Sequence, residues 1–60
     1  MSTPNSTPEY IRQVRDEHLK DPRDFNKLRA FNGAVMFHPD STTLDKYLEL
    51  RERFIQEVAP

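Results

Sequence analysis

The chain has 60 residues, no cysteine, a net charge of −1 and 32% charged residues. That length holds one domain at most, and such a chain buries only about 60% of the surface its unfolded state exposes. No disulfide framework or thiolate metal site is available, the mixed charge gives no sign of a polyanion-binding tail, and no apolar run reaches the ~18 residues of a membrane span.

The N-terminus shows no basic region followed by an apolar stretch, so no secretory signal is expected and cytoplasmic residence is the expectation. Residues 1–6, MSTPNS, are polar and broken by proline. They read as a disordered arm ahead of a single helical domain over 7–60, because such a segment has nothing to bury.

Thr7-Pro8-Glu9 opens the first predicted helix, over 8–20. Thr7 is a capping residue, Pro8 suits the first helical position, and Glu9 favours the positive end of the helix dipole. Tyr10, Ile11, Val14 and His18 form a narrow apolar stripe. Arg12, Arg15, Asp16 and Glu17 fall on the expected wet side.

Asp21-Pro22 ends that helix, since proline disfavours α geometry in the residue before it. Asp21 then caps a second predicted helix over 22–36, with Phe25, Leu28, Phe31, Val35 and Met36 in one arc. Asn32-Gly33 lies inside it and permits two rivals. One is a β-hairpin, 28–31 pairing with 34–37, for which Asn-Gly is the strongest short signal. The other is a helix stopping at Asn32 with Gly33 just past its end. The continuous helix is preferred, because the upstream half lacks β-branched residues and an isolated hairpin is marginal.

Pro39 and Asp40 turn the chain toward the most strongly periodic segment, over 42–58. Thr42 fits a capping box with Asp45, and Ser41 caps equally well one residue earlier. Leu44, Tyr47, Leu48, Phe54, Ile55 and Val58 make one arc with Leu50 at its edge. Asp45, Lys46, Glu49, Glu52, Arg53, Gln56 and Glu57 lie opposite. Arg51 falls in the middle of the apolar arc. There it either snorkels its head to solvent or meets a partner's carboxylate at an interface. The fold expected is therefore all-α, a small bundle of three short helices completed by self-association. Helix–hairpin–helix is the alternative.

No catalytic signature emerges. The serines sit in no nucleophile elbow, no glycine-rich loop cradles phosphate, and sixty residues leave little room for a closed pocket. His38, Asp40 and His18 are the nearest approach to a metal or acid–base group, but a metal wants three or four convergent ligands. No cofactor, metal or enzymatic activity is expected. His18 reads as a packed, hydrogen-bonded residue at the core edge, and His38 as surface polar.

A helix-turn-helix DNA-binding regulator is the second reading. The last helix carries too many acids on its polar face for it, because phosphate neutralisation supplies most of such affinity. What remains is an excess of large apolar groups over what three short helices cover. That favours a binding module, a regulator or inhibitor docking on a larger protein or on a second copy, with a dimer favoured. Tyr47, Leu50, Arg51 and Phe54, with Phe37 in the preceding turn, are the candidate partner-binding residues, since aromatic residues and arginine are enriched in interface cores.

Overall fold

A computed structural model describes residues 7–59. It contains three helices, α1 (Pro8–Lys20), α2 (Phe25–Met36) and α3 (Leu44–Gln56), and no strand among the described residues. The disordered arm expected over 1–6 lies outside the described residues, as does Pro60.

α1 begins as its sequence indicates. Thr7 Oγ1 accepts the Tyr10 N–H at 3.2 Å, and Pro8 stands at the first helical position. Its far end closes on Asp21, whose N–H reaches the carbonyls of Glu17 and His18, both at 3.2 Å.

α2 starts three residues later than the sequence suggests. Pro22 and Arg23 belong to a turn, and the cap is Asp24, whose Oδ1 accepts the N–H groups of Asn26 at 3.0 Å and Lys27 at 3.4 Å. An aspartate with two orphan first-turn donors in reach outcompetes Asp21, which is already closing α1. Asn32 and Gly33 are interior to α2, so neither the hairpin nor the early stop forms. No residue among those described has positive φ, which a two-residue Asn-Gly turn requires. The Phe37 N–H closes on the Gly33 carbonyl at 3.0 Å.

α3 is capped by Thr43, not Thr42 or Ser41, with Thr43 Oγ1 accepting the Lys46 N–H at 3.2 Å. Ser41 is otherwise engaged: its hydroxyl donates to the Val35 carbonyl at 2.6 Å. That bond folds the connection back onto the last turn of α2. His38 Nδ1 accepts the Asp40 N–H at 3.0 Å, and its side chain is only 16% exposed. His38 is thus a part of the turn, not the surface group expected of it. The helix ends at Gln56, two residues short of the predicted Val58.

The core is small: Ile11 and Val14 of α1, Phe31, Ala34 and Val35 of α2, and Phe54 of α3. Tyr10, Tyr47, Leu50 and Ile55 pack around it. Two predicted arcs are rotated in the fold. On α2, Leu28, Phe31 and Val35 turn inward while Phe25 and Met36 stay exposed. On α3 the packed line runs through Tyr47, Leu50 and Phe54, leaving Leu44 and Leu48 exposed, as is Val58 just beyond the helix. Each helix carries a wider apolar arc than its neighbours cover.

Arg15, placed on the wet side by periodicity, is 4% exposed. His18 stacks on Phe31, ring centroids 6.1 Å apart. Its Nδ1, expected to be hydrogen-bonded, has no partner among the described residues.

Candidate functional site

Two charged or polar clusters hold the helices together, and they separate surface that is used internally from surface that is not. The first lies where α1 meets the end of α3. Arg15 Nη1 donates to the Phe54 carbonyl at 3.0 Å and to Glu57 Oε1 at 2.7 Å. Arg12 grips the same carboxylate with two bonds, Nε to Oε1 at 3.0 Å and Nη2 to Oε2 at 3.1 Å. These donated bonds, Arg12 first and Arg15 next, lower the Glu57 pKa to about 2 from its usual 4.5. Glu57 in turn raises the pKa of Arg12. A cationic pair at a helix C-terminus also complements the dipole there.

The second cluster joins α2 to α3. Arg51 Nε donates to Asn32 Oδ1 at 2.8 Å, and the guanidinium lies 5.4 Å from the Phe31 ring centroid. Arg51 therefore neither snorkels freely nor meets a carboxylate; its head is held within the chain by an amide and an aromatic face.

The remaining candidates divide in the same way. Phe54 is 6% exposed and belongs to the core, so it has almost no surface to present. Tyr47 and Leu50 are half-buried against that core. Phe37 is 71% exposed.

Outward of the Asn32–Arg51 bond lies an apolar surface that the sequence reading missed. Residues seven before, three before and four after a given helical position share one side of it. Relative to Asn32 these are Phe25, Arg29 and Met36; relative to Arg51 they are Leu44, Leu48 and Ile55. Phe25 is 66% exposed, Met36 59%, Leu44 70% and Leu48 51%, while Ile55 is half-buried. The two stripes flank the bond that joins their helices, one on each side of the α2–α3 seam. The signal was present in α2: from Phe25 to Phe37 the chain has no acidic residue and only two cations, Lys27 and Arg29. So few charges leave α2 with apolar side chains on its outer side as well as on its core side.

Two concavities flank this surface. One of about 180 Å³ lies between α1 and α2, floored by Ala30, Gly33 and Ala34 and walled by Tyr10, Arg29 and Phe37. The other, about 250 Å³, lies between the 37–43 turn and α3, where Lys46 and Arg53 face Asp40 and Glu49. Both are open, and the second is divided by mixed charge. Among the described residues no group of three or more His, Cys, Asp or Glu side chains converges to hold a metal ion. No described helix is long and apolar enough to cross a membrane.

Comparison with protein-family models, with curated proteins and with solved structures finds no match to this chain.

Proposed function

We propose that the chain is a non-enzymatic protein-binding module that docks through the outer faces of α2 and α3. One observation carries this: Phe25, Met36, Leu44 and Leu48 are each more than half exposed, while among the described residues the buried core comprises six apolar side chains. Exposed apolar side chains of this size, gathered on two neighbouring helices, favour an interaction site, and a sixty-residue bundle with so thin a core gains from a partner that covers it. Regulation or inhibition of a larger protein fits such a module, as does self-assembly.

The helix-turn-helix alternative draws less support. Arg12 and Arg15 are both engaged by Glu57, and the exposed side of α3 presents Asp45, Glu49 and Glu52 beside Lys46 and Arg53. No useful affinity for duplex nucleic acid is expected from that face.

The test compares immobilised wild type with Leu48→Glu and Phe25→Glu, both at exposed positions. Wild type should retain a partner protein or a second copy. Each glutamate variant, folded by circular dichroism, should lose it by about tenfold or more, the scale of an interface anchor. Equal retention by all three would contradict the reading.

A further inference from the structure

We propose that the partner on this face is a second copy of the same chain, paired about a two-fold axis so that α2 of each copy lies on α3 of the other. This rests on the binding-module reading and adds its occupant.

The charges on the two stripes complement each other. The outward side of α2 carries one charge, Arg29, held over the Phe25 ring at 6.0 Å, and α2 has no acid of its own. The outward stripe of α3, Leu44 and Leu48, is flanked by an exposed carboxylate, Glu52. Glu52's one partner on the same helix is the neutral amide of Gln56, at 2.8 Å. The charge at the outer edge of the α2 stripe is thus a cation and that of the α3 stripe an anion; Arg51, at the inner edge of the α3 stripe, is held by Asn32.

A two-fold interface has two ways to lay such a surface on itself. If α2 meets α2, Arg29 faces a helix that carries no carboxylate. If α2 meets α3, the axis runs along the Asn32–Arg51 seam. Asn32 then lies level with Arg51 of the partner subunit, and Arg29 comes within a side chain's reach of Glu52 of the partner subunit. Only the second arrangement gives Arg29 a carboxylate, and it does so in both copies. Size agrees: a standard interface takes about 800 Å² from each partner, a modest part of the 4592 Å² this chain exposes and within the reach of a face two helices wide.

The experiment is a charge exchange read by sedimentation equilibrium on the full chain. Wild type should be dimeric at high concentration and dissociate on dilution. Arg29→Glu and Glu52→Arg, each alone, should weaken self-association by at least about tenfold, since each homodimer then holds two like-charged pairs. An equimolar mixture of the two variants restores both pairs, and should return to within about threefold of wild type. Circular dichroism confirms that both variants fold. Singles that weaken without recovery on mixing would overturn the arrangement. A wild type monomeric at about 1 mM, where even weak interfaces form, would overturn the second copy as occupant. If a monomeric chain still captures another protein in a Leu48-dependent way, the binding-module reading stands without the dimer; if it does not, both fail.

Discussion

The buried Arg15 guanidinium donates to the Phe54 carbonyl at 3.0 Å, tying the middle of α1 to the last turn of α3. The carbonyls at a helix end lack intrahelical donors, and here one is satisfied by a cation from another helix. The same side chain holds Glu57 just beyond the helix. Arg15 thus adds a polar tie between the first and last helices to the packing of Phe54 with Ile11 and Val14 in the core.

Arg15→Met keeps much of the packing and removes these bonds. A loss of about 2 kcal/mol is expected, the usual range for hydrogen bonds to charged groups. For a domain this small that lowers the melting temperature by about 10 °C. A thermal melt unchanged within error would show that the bonds contribute nothing.

Glu57 makes acid stability a second readout. Its pKa in the fold is about 2, below the ordinary 4.5, so the folded state binds the proton more weakly than the unfolded chain does. The stabilisation from its two arginines is therefore fully present above about pH 4.5 and lost as pH falls toward 2. Glu57→Gln should be less stable than wild type at neutral pH, and the difference should shrink through that window. A difference constant from pH 7 to pH 2 in denaturant titrations would exclude the mechanism.

Gly33 is interior to α2, and a methyl group added there meets nothing within 4 Å beyond its chain neighbours and the helix's own backbone. Gly33→Ala should raise stability by up to about 1 kcal/mol, because alanine is the better helix former and loses less backbone freedom. A destabilised variant would indicate that residues 32–33 need a conformation alanine resists, as the hairpin would.

Arg51 and Asn32 should behave as a coupled pair. Arg51→Met and Asn32→Ala are each expected to cost about 1 kcal/mol, and the double variant little more than either. Fully additive losses in the double-mutant cycle would show that the bond at 2.8 Å carries no energy of its own.

Much of the fold was legible in local signals. Thr7-Pro8 and the polar break at Asp21-Pro22 placed α1 to the residue, and apolar periodicity placed the bodies of α2 and α3. Caps were harder to place, because each connection offers several candidates and tertiary contacts choose among them. Ser41 is drawn off by the Val35 carbonyl, which leaves Thr43 to cap α3. Periodicity also failed on which part of a wide arc faces inward. Leu44 and Leu48 scored with Tyr47 and Phe54, yet only the latter two pack on the core, since a third helix is present on that side alone. Arg15 lay four residues after Ile11, on the edge of the buried stripe; its role depends on a carbonyl 39 positions away, which no local pattern encodes.

The most direct measurement of the docking face is the concentration dependence of the amide and methyl NMR spectrum, from about 10 μM to about 1 mM, the range over which a modest interface assembles. Shifts and broadening should concentrate on Phe25, Arg29, Met36, Leu44, Leu48 and Glu52, and leave the outer side of α1, at Gln13 and Glu17, unchanged. A spectrum that does not change with concentration, or changes centred on α1, would contradict the α2–α3 face as the surface this chain uses to bind its own kind.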